Sequence, residues 1–281
     1  MNYKQFKLQP VAAFYQLLAN SILHLLTITF IAALIDFLAV KYLVLGQLGN
    51  KGIERLAGIL KAQQASPADF KTHSKAMEEF LIAYPSIVSL TLLVLLLSVV
   101  LLAYVFNSNQ RFLNSKITVE ANGFLNSFKP GKSFTGILLY MLLTGTIFLG
   151  MSAAVSIGFA INGIFGILSL LLASIWIIRQ SLVIPGIVAG GMSVSESYKY
   201  SLEQIHMGRS FKIMVFGIML FIMLSLLMAA LFFLPTMLFK TTEARLFFNI
   251  FSIFIQFGFI SIGMMALFIR YANFEEVNIA E

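Results

Sequence analysis

Between Ser133 and Ile178 the chain reads SFTGILLYMLLTGTIFLGMSAAVSIGFAINGIFGILSLLLASIWII, which is 46 residues without an Asp, Glu, Lys or Arg. An α-helix rises about 1.5 Å per residue, so about 20 residues cross a hydrocarbon core of about 30 Å. The stretch is therefore long enough for two crossings. Asn162-Gly163 is a turn-forming step between its two apolar halves, and we predict the turn there.

Four further stretches of the chain carry no charged residue. They are Leu8–Ile35, Phe80–Gln110, Ile213–Phe239 and Leu246–Ile269. Runs such as Leu90–Leu102 do not alternate in polarity, which argues against the strands of a β-barrel. We therefore predict an all-α polytopic protein with one integral membrane domain over 1–281, six transmembrane helices and short interfacial helices. The predicted spans are about 17–40, 84–106, 134–160, 164–184, 211–233 and 246–270.

The composition agrees with a membrane protein. Apolar residues make up 59% of the 281 positions and charged residues 11%, with a mean hydropathy of +0.91. In soluble domains, apolar residues make up about 45–50% of the positions and charged residues about 25%. This excludes a soluble enzyme or a nucleic-acid-binding domain. The lack of cysteine excludes disulfides and thiolate metal sites. A net charge of +7 fits loops that lie beside anionic headgroups.

The distribution of Lys and Arg predicts the orientation. Alternate segments, starting with the N-terminus, hold 11 of these residues, and the opposite segments hold 8. The bias favours cytoplasmic termini. The first apolar stretch is too long and too polar for a signal peptide, so we expect it to be a retained helix.

The 41–83 segment is predicted to be an extracytoplasmic helical loop. Ile53, Leu56 and Leu60 recur at helical spacing, and Ser66–Asp69 resembles a helix start with a Ser cap and a Pro in the first turn. We expect two short helices over the outer membrane surface. They act either as a solvated connector or as a docking surface for a protein partner.

The 185–210 segment is predicted to be a cytoplasmic amphipathic segment. Pro185 and Gly190 interrupt the fourth span, and Ser193 with Glu196 has the spacing of a capping box. Gly208 suits the end of the resulting helix. Its predicted apolar stripe consists of Val194, Tyr198, Leu202 and Ile205.

One helical face of the first span carries a polar stripe. Its members, at helical spacing, are Gln16, Asn20, His24 and Thr27. Such a face must turn toward protein or water. It either forms hydrogen bonds to neighbouring helices, with Gln256 as a candidate partner, or lines a cavity for a headgroup or a proton.

Two charged residues lie near span ends. We expect Asp36 to be an interfacial carboxylate, exposed or paired with nearby Lys41, and Arg179 to extend its guanidinium to the interface. A second stripe, on the third span, consists of the small residues Thr146, Gly150, Ala154 and Gly158 and predicts close helix packing.

Signatures of catalysis are weak. His24, His73 and His206 fall in three different parts of the predicted topology, and no H-E-x-x-H motif occurs. We therefore expect no enzyme activity, no metal and no cofactor. A faint repeat relates Gly131–Phe134 to Gly208–Phe211. A duplicated unit of this kind is typical of some transporters.

The segment around the fourth span carries a family resemblance. It comprises Ser181–Val188, Gly190–Ser193, Glu196-Ser197 and Tyr200–Leu202. This pattern resembles the YciC-like family of bacterial inner-membrane proteins and the membrane domain of some glycerophosphodiester phosphodiesterases. Pro185, Glu196, Ser197 and Ser201 are the family-like residues. The resemblance implies a bacterial inner-membrane protein and transfers no catalytic residue.

Two main functional hypotheses follow. The first is a non-enzymatic accessory or structural role in envelope or lipid homeostasis; the alternative is a small transporter or lipid-translocation factor. A lipid-modifying enzyme would instead need Asp36, His24 or Glu120 around one cleft. The expected partners are membrane lipids and proteins bound through the 41–83 loop, and no nucleic acid.

Overall fold

The computed structural model describes residues 10–65, 70–118, 123–206, 208–210, 212–217, 222, 226 and 241–271. Every regular element in these ranges is helical. The elements are α1 (Pro10–Ala39), a π-helix (Val40–Leu45), α2 (Gly46–Ala65), α3 (Phe70–Ala83), α4 (Ser86–Thr118), α5 (Gly123–Ser127), α6 (Lys132–Ile161), α7 (Gly163–Arg179), α8 (Val183–Ala189), α9 (Val194–Gln204) and α10 (Thr242–Tyr271). Residues 208–210 and 212–217 are also helical.

Five helical stretches in the described part of the chain are long and apolar enough to cross a membrane. They are Ala12–Ala62, Ser86–Thr118, Lys132–Gly158, Gly163–Ala189 and Thr242–Tyr271. The all-helical prediction is confirmed, and the chain is consistent with a multi-pass membrane protein. Most of the predicted 211–233 span lies outside the described residues.

Helices α1, α4 and α10 form the centre of the bundle. The first and last helices approach closely at Gly258, where an added Cβ would lie 2.1 Å from Leu25 Cδ1. Leu25 and Ile262 are fully buried in this contact. A larger residue at this position would require the Leu25 side chain to move. The glycine thus permits the close approach that brings the polar groups of these helices within reach of one another.

Helix α4 continues beyond the predicted end of its span. The prediction stopped at residue 106, where polar residues begin, but the helix runs to Thr118. Residues 107–110 are fully buried. They lie inside the bundle because neighbouring helices supply hydrogen-bonding partners for several of their polar atoms.

The 41–83 segment is helical and continuous with the first span. The π-helix joins α1 to α2, and Gly49 (φ 59°) breaks the latter near its start. Helix α3 folds back so that Phe80 packs with Leu48, and Arg55 pairs with Glu79 at 3.8 Å. The predicted helix start at residues 66–69 lies outside the described part of the chain.

Helices α6 and α7 form a hairpin whose turn lies at Asn162, as the sequence predicted. The Asn162 side chain accepts a hydrogen bond from Ile164 N at 2.9 Å and caps α7. A Cβ at Gly158 would lie 3.2 Å from Gly166 Cα, so the two backbones nearly touch. The other members of the small-residue stripe, Thr146, Gly150 and Ala154, are exposed. Only the turn-proximal end of the stripe therefore packs against α7.

The capping box that begins α9 is confirmed. Ser193 Oγ accepts from Glu196 N at 3.3 Å, and Ser193 N donates to Glu196 Oε2 at 2.9 Å. The turn before it uses Gly191 with φ 61°. The prediction for Gly208 was wrong: α9 ends at Gln204, and Gly208 lies in the next helical turn, because Ile205 already leaves the helix to fill the core.

Candidate functional site

Four consecutive polar residues of α4 lie in the interior of the bundle. Asn107, Ser108, Asn109 and Gln110 each have no exposed surface. Consecutive helical residues point about 100° apart, so this helix is enclosed by protein on all sides at this level. We call these four residues, with their partners His24, Ser127, Ser133 and Ser261, the buried polar layer.

Two amides of the layer tie α4 to α10. Asn109 Nδ2 donates to Gly258 O at 3.3 Å. Gln110 Nε2 donates to Ser261 O at 2.5 Å and to Ser261 Oγ at 3.0 Å. On another side of α4, Ser133 Oγ donates to Asn107 Oδ1 at 2.7 Å. These contacts reach from α4 to the last helix and to the start of α6.

Two serine hydroxyls and one amide surround the His24 ring. Its Nε2 lies 2.9 Å from Ser127 Oγ and 3.3 Å from Ser108 Oγ. With the ring proton on Nε2, the ring donates to Ser127, whose hydroxyl already donates to Phe124 O at 2.6 Å. With the ring proton on Nδ1, the ring donates to Asn109, and Nε2 accepts from Ser108.

Three phenylalanines enclose the His24 ring. Phe112 stacks on it at 4.3 Å between centroids and 7° between planes. Phe124 and Phe128 lie at 5.6 and 5.1 Å. His24 thus joins α1, α4 and α5 through both ring packing and hydrogen bonds.

Several polar atoms of the layer have no hydrogen-bond partner among the described residues. They are His24 Nδ1, Asn107 Nδ2, Asn109 Oδ1 and Gln110 Oε1. Two of these atoms belong to His24 and Asn109, whose side chains form a hydrogen-bonding interaction when the ring proton is on Nδ1. Asn107 Nδ2 and Gln110 Oε1 then remain unpaired among the described residues. Each unpaired buried group costs about 1–3 kcal/mol, so the layer has room for one further donor and one further acceptor.

The other members of the predicted polar stripe do not join this layer. Gln16 and Asn20 are exposed, and Asn20 Nδ2 donates to Gln16 O at 2.8 Å. Thr27 Oγ1 donates to Leu23 O at 2.8 Å. Gln256 is half-buried on α10, and the polar contacts of His24 are instead with Ser127, Ser108 and Asn109. Of the four residues in the stripe, His24 alone is buried. Asn20 and Thr27 form hydrogen bonds to carbonyl groups of their own helix, and Gln16 is exposed.

Asp36 is neither exposed nor paired with Lys41. It is 7% exposed and accepts a hydrogen bond from Ser98 Oγ of α4 at 2.7 Å. Lys41 instead pairs with Glu243, at the start of α10, at 3.1 Å. The π-helix between α1 and α2 places Lys41 beside α10, which explains the change of partner.

Arg179 and the family-like residues join α7, α8 and α9. Arg179 Nη2 and Nε donate to the carbonyls of Leu202 and Ile205 at 3.2 and 3.3 Å, which satisfies the end of α9. Ser201 Oγ donates in return to Arg179 O at 2.7 Å. Ser197 Oγ donates to Val183 O at 2.7 Å. Arg179 is therefore a helix cap, and both serines fasten α9 beneath the end of α7.

Pro185 and Glu196 have local roles in the same region. Pro185 is buried within α8, three residues after Leu182 at its N-cap, where a backbone N–H is not needed. Glu196 is exposed, and its hydrogen bonds to the Ser193 hydroxyl and backbone lower the pKa of its carboxyl below the usual value.

Sequence reasoning missed residues 107–110. The charge-free stretch Phe80–Gln110 already contained them, and its length exceeded one crossing. The extra length of this charge-free stretch was the feature of the sequence that could have indicated their burial. Within the described residues, no group of three His, Cys, Asp or Glu side chains could hold a metal ion.

No family model, curated protein or solved structure matches this chain.

Proposed function

We propose that the chain is a non-enzymatic protein of the bacterial inner membrane with an accessory or structural role in envelope or lipid homeostasis. The observation that carries this proposal is the use of intramembrane polar groups as helix ties. Asn109 and Gln110 hold α10, and His24 holds α5. Interhelical hydrogen bonds of this kind are a common packing device in membranes.

The carboxylates support the same proposal. Asp36 is engaged by Ser98, and Glu196 closes the cap of α9. His24 lies in the buried polar layer, and Glu120, which the enzyme hypothesis also names, lies outside the described residues. Acid–base chemistry needs such groups within hydrogen-bond reach of one reacting atom. Asp36, Glu196 and His24 have separate structural tasks instead.

The topology proposed here has six spans with cytoplasmic termini. The 211–233 stretch adds one crossing to the five described ones because it is charge-free from Ile213 to Phe239. The Lys and Arg bias of 11 to 8 supports the orientation. The α2–α3 pair would then lie at the outer surface, with α9 at the cytoplasmic interface. The resemblance to the YciC-like family is the basis for placing the chain in a bacterial inner membrane.

A deletion strain tests the role. We expect loss of the gene to change lipid composition or envelope integrity, and expression of the wild type to restore it. His24→Phe keeps the aromatic packing but cannot relay a proton. We therefore expect this variant to restore the wild-type lipid composition or envelope integrity as well. Failure of His24→Phe at wild-type protein level and wild-type unfolding temperature would contradict a purely structural role for this residue.

The alternative is a small transporter or lipid-translocation factor, which the unpaired amide groups of Asn107 and Gln110 in the layer favour. The natural chain has no cysteine, so single cysteines report water access cleanly. A structural layer predicts that His24→Cys does not react with a charged maleimide in intact membranes. Glu54→Cys, at an exposed position, is the reactive control. Rapid labelling at position 24 would instead favour a water-accessible pathway.

A further inference from the structure

A basic pocket lies at one end of the bundle, away from the buried polar layer. It has a volume of about 320 Å³ and is lined by Arg209, Lys212, Arg270 and Tyr271. The lining therefore brings three cations together. Among the described residues that line the pocket there is no carboxylate.

The pocket lies where two charge-free stretches end. Arg270 directly follows the stretch Leu246–Ile269, and Lys212 directly precedes Ile213–Phe239. A charged residue at such a border marks the level of the lipid headgroups, and tyrosine is enriched there. Tyr271 is half-buried beside the three exposed cations. In the topology proposed above, the pocket would therefore lie at the depth of the lipid phosphate groups.

One arginine of the pocket is held in place before any ligand binds. The Arg209 guanidinium lies 5.8 Å from the centre of the Tyr271 ring, and its Nη1 donates to Gln204 O at 2.8 Å. A guanidinium has five N–H donors, so several donors stay available to a ligand. A planar fork fixed in this way suits the bidentate recognition of a phosphate.

We propose that this pocket binds a phosphate group, supplied either by an anionic lipid headgroup or by a soluble phosphate compound. A bound dianion or monoanion accepts charge-assisted hydrogen bonds from Arg209, Lys212 and Arg270, and such bonds are shorter and stronger than bonds between neutral groups. Basic pockets between membrane helices bind phosphate-bearing headgroups by the same chemistry.

The test uses the full-length chain in a neutral detergent and has two arms. Native mass spectrometry compares phosphatidylglycerol with phosphatidylcholine, and calorimetry titrates inorganic phosphate. We expect one phosphatidylglycerol per chain to survive, in preference to phosphatidylcholine, if the phosphate comes from lipid. Phosphate binding without that preference would assign the pocket to a soluble compound. If the chain binds neither phosphatidylglycerol in preference to phosphatidylcholine nor inorganic phosphate, the proposal is overturned.

Charge-neutral variants connect the binding to the pocket. Lys212→Gln and Arg270→Gln should each weaken binding about tenfold, the effect of one charge-assisted hydrogen bond. Lys199→Gln removes an exposed cation from α9, outside the pocket, and should leave binding unchanged. Thermal unfolding of each variant checks that it folds. Equal binding by all three folded variants would overturn the assignment.

Discussion

Gly186 shows at the scale of one residue why α8 and α9 can meet. A Cβ at this position would lie 2.1 Å from Ser197 Oγ, and Ser197 needs that space to reach Val183 O. The glycine and the serine therefore act as a pair. The family-like pattern of the sequence includes both positions.

Gly186→Ala should destabilise the protein by about 1–3 kcal/mol, because the new methyl group overpacks the contact with Ser197. Thermal unfolding in detergent measures the loss. Gly145→Ala is the matched control, since nothing lies within 4 Å of its added Cβ. In a Ser197→Ala background the cost of Gly186→Ala should shrink. An unchanged cost would show that the hydroxyl is not the obstacle.

Glu196 gives the cap of α9 a dependence on pH. Hydrogen bonds from Ser193 lower the pKa of the folded carboxyl, so its contribution is complete above the ordinary value of 4.5 and is lost as pH falls through the folded value. Glu196→Gln keeps an acceptor without this titration. The difference in unfolding temperature between wild type and variant should therefore fall between pH 7 and pH 3. A constant difference would contradict the prediction.

At the scale of elements, the buried polar layer shows the limit of what sequence patterns reveal. The turn at Asn162 and the capping box at Ser193 were predictable because their residues are neighbours in the chain. The burial of Asn109 was not, because it depends on α10, whose Gly258 is 149 positions away. Likewise, periodicity placed Gln16 and His24 on one face, but only packing decides which of them is covered.

His24 fastens three elements mainly by its ring, and substitutions can separate packing from hydrogen bonding. We expect His24→Ala to cost about 3–5 kcal/mol, as for loss of a buried aromatic ring. His24→Phe keeps the stacking on Phe112 and should cost less than half as much. Thermal unfolding of both variants is the measurement. Equal losses would show that the bonds to Ser127 and Ser108 dominate instead.

At the scale of the whole molecule, the number of crossings sets which ends share a side of the membrane. Six spans place positions 2, 199 and 280 on one side and position 54 on the other. Single cysteines at Asn2, Lys199, Ala280 and Glu54, labelled in sealed vesicles of known orientation, test this arrangement. We expect only Glu54→Cys to react from the outer side. Labelling of Asn2→Cys and Ala280→Cys from opposite sides would mean an odd number of crossings.

The basic pocket also belongs to this scale, because its residues come from two distant parts of the chain. Arg209 and Lys212 precede one predicted span, whereas Arg270 and Tyr271 follow the last one. The sequence alone predicted that each cation lies near the interface. It could not predict that they meet, since that depends on how the helical residues 208–210 and 212–217 pack beside the end of α10.

The link between α4 and α10 also imposes an order on biosynthesis. Asn109 emerges from the ribosome long before Gly258, its acceptor 149 positions later. At roughly 5–20 residues per second, that separation lasts on the order of 10–30 s. During this time the side-chain amides of Asn109 and Gln110, within a candidate membrane span, lack their final partners. A chain that stops before α10 keeps those amides without the partners that Gly258 and Ser261 supply.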